Sequence, residues 1–506
     1  MCGIIGVIRT TPATDASDGK GITLRQTDSP SVNASYEVYK GMLTLQHRGE
    51  DACGITSHCQ ETGIHQQKSL GLVTKSFSHQ AISELAGMMA IGHNRYATIG
   101  GDNSRDIQPM SSSFPFGISM AHNGNIHNYI ELKTKVAPKH HLNFLTGNDL
   151  EAILLLWGQI LSRHAGEVFS LESARFATQK LMGILQGSYS VVGMLGNEGM
   201  FSFRDPFGIK PLVLGKKNNS YCITSETIAL NFLEYEYVRD IKPGELVWIT
   251  QTGKVHSFQC QPYKPAHCMF EYVYFAAAES QINNTSVYRA RLELGKALGR
   301  KIKRLMDNKN ISPEIVVPVP DTARTAAISI SETLNLPYRE GLIKNRYVQR
   351  SFILNSQDKR EKAVELKLSP IRSEIEGKSI LLIDDSIVRG TTSKKIINLL
   401  KKYGAKKIIL GITCPPIRYG CFYGIDFPES DDLVANKKSI PEIAKDIGAD
   451  HVFYLSIEEL KNSLNGQGIC TGCLDQNYPT QITNQHEFIN LRNKKEQPHE
   501  LTRPLW

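Results

Sequence analysis

The stretch SILLIDDSIVRGTTSKK, residues 379–395, decides the reading of the second half of the chain. Ile380 to Ile383 is wholly apolar, as a strand buried on both faces of a parallel sheet must be. It ends in two carboxylates, Asp384 and Asp385. Ser386 to Thr392 follows, with Gly390 and three hydroxyl side chains. Ile396, Ile397, Leu400 and Tyr403 then fall on one helical face, and Gly404 supplies the stop. A loop at the carboxyl edge of a sheet therefore opens onto a helix N-terminus. Backbone N–H groups and hydroxyls there suit a phosphate. Adjacent carboxylates suit a ribose diol, or a magnesium ion carrying a diphosphate. A plain strand-to-helix turn with solvated acids would account for a lone acid pair; it does not account for the whole string.

Working outward, the flanking pattern alternates. The expected order is helix Val287 to Met306, strand Ile315 to Val319, helix Thr325 to Leu334, strand Ser379 to Ile383, helix Ser393 to Tyr403 and strand Lys407 to Ile412. Such alternation predicts βαβ units and a parallel sheet. Upstream of about residue 243 the pattern differs. A first strand is expected at Ile4 to Ile8, and a helix from Tyr36 that Gly49 ends. Longer helices are expected at Leu150 to Arg163 and Leu171 to Leu185, with short strands at Leu212 to Leu214 and Leu246 to Ile249. This predicts sheets covered by helices. Thr10 to Ser35 is polar and Gly-rich and reads as an irregular insertion. The boundary is expected near residues 250–265, giving units at 2–255 and 262–475 and a polar tail at 476–506.

Composition removes several classes. The 506 residues carry 58 Lys plus Arg against 50 Asp plus Glu, a net +8. That excess is diffuse and no nucleic-acid recognition motif accompanies it. A hydrophobic content of 41% rules out general disorder. No apolar run approaches the ~18 residues of a bilayer span, so no membrane partner is expected. No positive region precedes an apolar stretch at the start, which argues against export. Ten cysteines in so long a chain read as metal ligands or nucleophiles of a reducing compartment, and a cytoplasmic protein is expected.

Cys2 becomes the first residue once Met1 is removed. A free α-amine has a pKa of about 7.7–8.0 and can take the proton of its own thiol. The bland reading is a small buried residue opening a strand. LQHRGEDACGI (45–55), IGHNRYATIG (91–100), AHNGNI (121–126) and GNDLE (147–151) place polar residues in turn or strand-end contexts. Arg95 can grip a carboxylate bidentately. Asn123 and the Gly124 N–H can form an oxyanion hole. Asp149 can receive an α-ammonium.

MCGIIGV, LQHRG, GHNRYAT, HNGNI, RDPFGIKPL (204–212), FEYVYFA (270–276), EGLIKNRYV (340–348) and the loop at 384–392 occur together and in order. This sequence resembles the glutamine phosphoribosylpyrophosphate amidotransferases, over roughly residues 2–10 and 36–475. The resemblance implies an αββα N-terminal-nucleophile hydrolase sandwich followed by an α/β type I phosphoribosyltransferase domain with a parallel sheet. It implies that Cys2 attacks the glutamine amide. Arg95, Asn123, Gly124 and Asp149 would bind glutamine, with Arg48 helping to close the pocket. Ammonia would travel inside the protein and displace diphosphate from phosphoribosylpyrophosphate. The second substrate would lie on Asp384, Asp385, Ser386, Arg389, Gly390, Thr391 and Thr392. Lys344, Arg346 and Tyr347 would come from a covering loop, and Thr322, Asp384 and Asp385 would hold magnesium (Mg2+). Inhibitory purine nucleotides and a homotetramer are also implied.

Cys470-Thr-Gly-Cys473 alone reads equally as half a zinc site, a redox pair or chance. The resemblance implies a structural 4Fe–4S cluster on Cys268, Cys421, Cys470 and Cys473, as in an iron–sulfur subset of the family. Cys53, Cys59, Cys222, Cys260 and Cys414 read as ordinary buried thiols. The sequence departs from the family pattern at Ala276 to Ser280 (AAAES), at Gln349 and in LDQNYPT after Cys473. Two alternatives follow: a divergent paralogue feeding a specialised pathway, and a non-catalytic regulator that binds phosphoribosylpyrophosphate or nucleotides.

Overall fold

β1 (Gly3–Arg9) shows how alternation builds the first unit. Ile5 and Val7 pack with Val38, Met42 and Leu230 on one side. Ile4 and Ile8 pack with Ile91, Ala121 and Val192 on the other. A strand that is apolar on both faces must be covered on both faces. Each buried Ile or Val contributes about 1.5–3 kcal/mol. The structure is a computed structural model describing residues 1–10, 33–96, 104–308, 311–345, 367–427, 430–466 and 468–482.

The helix α1 (Ala34–Thr44) follows β1. Next come β2 (Ala52–Cys59), β3 (Gly63–Leu70), β4 (Met89–Arg95), β5 (Met110–Ser112) and β6 (Ile118–Ile126). The helices α2 (Leu150–Ala165) and α3 (Leu171–Ile184) precede β7 (Gly187–Leu195), β8 (Gly199–Arg204), β9 (Val213–Lys217) and β10 (Ser220–Thr224). α4 (Thr227–Leu233), β11 (Glu236–Asp240), β12 (Glu245–Ile249) and β13 (Val255–Gln259) complete the unit. One antiparallel sheet has the order β11-β9-β10-β1-β4-β2-β3, the other β13-β12-β8-β7-β6-β5. α1 and α4 cover the first sheet, and α2 and α3 cover the second with Trp157 stacked on Phe201 at 4.8 Å. The four layers are those of the expected αββα sandwich.

Among the described residues the main sheet of the second unit has four parallel strands: β14 (Ile315–Pro318), β15 (Ser379–Asp384), β16 (Lys407–Ile412) and β17 (His451–Tyr454). α5 (Val287–Asp307) and α6 (Arg324–Leu334) precede β15, and α7 (Thr391–Lys402) follows it. α7 starts two residues before its expected position, because Gly390 already adopts the left-handed conformation (φ 79°) that turns the chain into the helix. β17 escaped the sequence reading, since HVFY offers only two inward residues, Val452 and Tyr454. Ser35 belongs to α1 and not to an insertion; residues 11–32 lie outside the described residues. Among the described residues no helix is long and apolar enough to cross a membrane.

Candidate active sites

Cys2 opens β1, half-buried. The register pairs Gly3 with Asn94, which brings the end of β4, with Arg95 and Tyr96, to the level of Cys2. The Cys2 thiol lies 3.7 Å from the Tyr96 carbonyl oxygen, and its backbone N donates to Asn123 Oδ1 at 3.2 Å. Asn123 is buried on β6, and its Nδ2 has no partner among the described residues. Asp149 Oδ2 accepts from the Ile126 N–H at 2.8 Å, and Oδ1 lies 3.3 Å from His122 Nε2. Burial raises the Asp149 carboxyl above its ordinary range, against the pull of His122. Arg95 is buried beside them.

Arg48 is fully buried and spends its guanidinium elsewhere. Nε donates to the Cys2 carbonyl at 3.0 Å, Nη1 to Glu226, and Nη2 to Glu271 Oε1 at 2.7 Å. Glu226 lies in the first unit and Glu271 in the second, so this one side chain joins both to the backbone of Cys2. Met1 is itself buried, and burial pushes its α-amine down to about 4.

The second site is a cavity of about 810 Å³ at the carboxyl end of β15. Its wall contains Asp384 through Ser393 together with Thr322, Asp426 and Asp432. Asp385 accepts from Ser386 Oγ at 2.6 Å and from Thr322 Oγ1. Burial raises both carboxyls, for Asp384 most strongly, and the neighbouring Asp385 charge adds to it. Adjacent buried acids with hydroxyl partners form a hard oxygen donor set that fits a divalent cation or a diol. Arg389 lines the cavity 3.4 Å from Asp432. Lys344 is not brought there: its Nζ pairs with Asp321 at 2.8 Å on an exposed edge. Arg346, Tyr347 and Gln349 lie outside the described residues.

The same cavity is walled by Tyr96 from the first unit and by Phe270, Tyr274 and Phe275. Sequence reasoning gave none of these four a role. FEYVYFA has no helical or strand period to reveal a lining function, and Tyr96 was overshadowed by the charge of Arg95. Tyr96 thus has its carbonyl at the Cys2 thiol while it also borders the second site.

Cys268 and Cys470 are opposite one another in a short parallel pair, His267–Cys268 with Ile469–Cys470. The Cys473 carbonyl accepts from the Arg418 and Tyr419 N–H groups, each at 3.0 Å, which ties the C-x-x-C turn to the loop carrying Cys421. Burial, then the other thiols, raises the Cys473 thiol well above its usual range. Among the described residues no three His, Cys, Asp or Glu side chains converge as a site for a metal ion. Cys268, Cys421, Cys470 and Cys473 lie within electrostatic reach of one another, and thiols are soft donors. Cys414, read as an ordinary thiol, lies within electrostatic reach of Cys473 and Cys268. Cys59 is half-buried rather than buried.

Known proteins resemble the chain throughout. A glutamine amidotransferase domain family matches residues 93–232 and a phosphoribosyl transferase domain family matches residues 285–420. An amidophosphoribosyltransferase of Methanothermobacter thermautotrophicus is 40% identical over 471 residues, covering 92% of this chain and 96% of the relative. That of Escherichia coli is 38% identical over 476 residues, covering 92% and 89%. A solved glutamine phosphoribosylpyrophosphate amidotransferase from B. subtilis, complexed with ADP and GMP, aligns with a TM-score of 0.81 at 33% identity, covering 95% of this chain and 98% of that one. A second structure, described as the allosteric regulatory enzyme of purine biosynthesis, aligns at 0.83 and 33% identity, covering 99% and 100%.

Proposed function

The chain belongs to the amidophosphoribosyltransferases, and from that premise we propose a residue-by-residue account of its reaction. Glutamine is hydrolysed, and its ammonia displaces diphosphate from C1 of phosphoribosylpyrophosphate. The products are 5-phosphoribosylamine, glutamate and diphosphate, and the step opens de novo purine synthesis.

Cys2, freed of Met1, is the nucleophile. Its α-amine takes the thiol proton and hands it to the leaving ammonia; water then releases glutamate from the thioester. Asn123 Nδ2 and the Gly124 N–H receive the oxyanion. Arg95 grips the α-carboxylate, Asp149 receives the α-ammonium, and Arg48 braces the pocket through the Cys2 carbonyl. The observation that carries this reading is the pairing of Cys2 N with Asn123 Oδ1 at 3.2 Å while the buried Nδ2 has no partner among the described residues. A donor desolvated beside a nucleophile is costly unless a ligand uses it.

Ser386, Arg389, Gly390, Thr391 and Thr392 cradle the phosphates, and Asp384 and Asp385 take the ribose hydroxyls or, with Thr322, magnesium. Magnesium bound there would supply charge neutralisation to the departing diphosphate. Lys344, Arg346 and Tyr347 belong to a loop that covers the bound substrate, and the aromatic wall keeps water from competing with ammonia. Cys268, Cys421, Cys470 and Cys473 would hold a structural 4Fe–4S cluster. The glutaminase unit spans 2–255 and the phosphoribosyltransferase unit 262–475. A cytoplasmic homotetramer inhibited by purine nucleotides goes with this reading; the relative solved with ADP and GMP supports the last point. Neither a specialised paralogue nor a non-catalytic regulator is favoured.

The test is diphosphate release from phosphoribosylpyrophosphate and magnesium, with glutamine or an ammonium salt as nitrogen donor. Cys2→Ala is expected to lose the glutamine reaction and keep the ammonia reaction. Loss of both would refute the assignment of Cys2. Protein isolated without oxygen is expected to be brown and to hold about four irons per chain; a colourless zinc protein would reject the cluster.

A further inference from the structure

The strand that carries Asn123 and Gly124 is braced from the other unit. On one side of it lies the loop of residues 420–424. Asn125 Nδ2 donates to the Phe422 carbonyl at 2.9 Å, and Ser188 Oγ, from the neighbouring strand β7, donates to the Tyr423 carbonyl at 2.9 Å. Gly424 approaches so closely that a Cβ there would stand 3.1 Å from the Gly124 oxygen. At Gly124 and Gly424 the two units meet backbone to backbone.

The loop is in turn held by the residues that follow Cys473. Tyr478 OH donates to the Gly420 carbonyl at 2.7 Å, and its ring packs at 5.0 Å on Phe422. The Thr480 N–H donates to Tyr423 OH at 3.0 Å. Tyr423 OH and Thr480 Oγ1 are 2.7 Å apart, and Thr480 Oγ1 lies 2.9 Å from His127 Nε2. His127 follows β6 by a single residue. Burial pushes its imidazole down to about 4, so the ring is neutral and one nitrogen can accept. With the ring proton on Nδ1, every bond in the series has one consistent direction: Thr480 N–H to Tyr423, Tyr423 O–H to Thr480, Thr480 O–H to His127. Series of this kind reinforce one another.

We propose that Thr480, Tyr423 and His127 are positioning residues that latch the 420–424 loop onto the oxyanion strand, so that cleavage of glutamine depends on a contact made by the phosphoribosyltransferase unit. This rests on Asn123 and Gly124 being the oxyanion donors. Two further facts single the latch out. It grips β6 at its end, beside the residues that must hold a tetrahedral intermediate, where a displacement of a fraction of an ångström matters. His127, Tyr423 and Thr480 do not themselves line the second cavity, although Ile425, Asp426 and Phe427, which continue the loop, do; ammonia-dependent synthesis is therefore the reference against which a latch defect is read.

The experiment uses the full chain isolated with its metals. Thr480→Val keeps the shape and removes the hydroxyl that both Tyr423 and His127 use. It is expected to lower kcat with glutamine about tenfold, with the glutamine KM changed less than about twofold and ammonia-dependent synthesis unchanged. Thr480→Ser restores the hydroxyl and is expected to restore kcat. Tyr423→Phe breaks the same series, and the double variant is expected to be no worse than either single one. Wild-type glutamine turnover in Thr480→Val overturns the latch. Equal loss of both reactions, or no rescue by serine, marks a merely structural staple and also overturns it. Asn123→Ala is the control: full glutamine turnover there refutes the oxyanion assignment and the latch with it, whereas a dead Asn123→Ala beside an unimpaired Thr480→Val refutes the latch alone.

Discussion

Arg48 shows what one buried charge can hold together. Its three nitrogens serve the Cys2 carbonyl, Glu226 and Glu271. Glu226 also accepts from the Ala277 N–H at 2.9 Å, Ser280 Oγ at 2.7 Å and His47 at 2.9 Å. Burial works to raise the Glu226 carboxyl, but the Arg48 charge and then His47 hold it well below the usual carboxylate range. The segment AAAES, at 276–280, therefore keeps its tie to the first unit through one backbone N–H and one hydroxyl. Arg48→Met would leave two carboxylates buried without their cation. The expected cost is about 3–5 kcal/mol, read as a lowered urea midpoint. Arg48→Lys should recover only part of it, because an ammonium cannot bridge two acids and a carbonyl in one plane. A methionine variant as stable as the parent would contradict the account. Because the folded pKa of Glu226 is depressed, its contribution is present above the unfolded carboxylate range and is lost as the pH falls toward the folded value.

At the scale of elements, β15, its loop and α7 form the proposed phosphate-binding unit. Replacing Asp384 and Asp385 by asparagine keeps the shape and removes two charges that burial disfavours. The double variant should melt at the same temperature or higher, and phosphoribosyl transfer should fall at least ~100-fold. Unchanged transfer would remove these residues from the site; a fall in melting temperature would mean that the carboxylates are structural. This element was legible in sequence because three signals coincide within 379–404: an apolar run, an acid–hydroxyl–glycine loop and a helical stripe. β1 was legible for the same reason, since Ile4, Ile5, Val7 and Ile8 leave no other reading. β17 was not, being short and only half apolar. The central strands β4 and β6 also gave no strand signal, because GHNR and HNGN bury polar side chains where a strand ordinarily shows apolar ones. Their chemistry was readable through motif resemblance, while their burial came only with the fold. Contacts such as Asn125 with Phe422, 297 residues apart, have no local signature at all.

Across the whole molecule, the seam between the units carries polar groups in a dry setting, and this gives stability a pH dependence. His127 sits on that seam against Phe422 and Tyr423, with its imidazole lowered from 6.5 to about 4 by burial. His93 and His122, both buried, are lowered by burial as well. A histidine whose folded pKa is depressed binds fewer protons in the folded than in the unfolded state, so stability rises with pH across the interval between the two values. For His127 that interval runs from about 4 to 6.5. Taking the protein from pH 7.5 to pH 5 should therefore cost about 2 kcal/mol through this residue alone. His127→Asn removes the titration. Its urea midpoint should fall less than that of the parent over the same interval, even if the variant is the weaker of the two at pH 7.5 for want of the bond to Thr480. Parallel curves for parent and variant would show that burial does not depress the His127 imidazole in the folded protein. The ring would then take up a proton over the same range as in the unfolded chain, and at pH 5 its Nε2 would donate to Thr480, reversing that bond of the series.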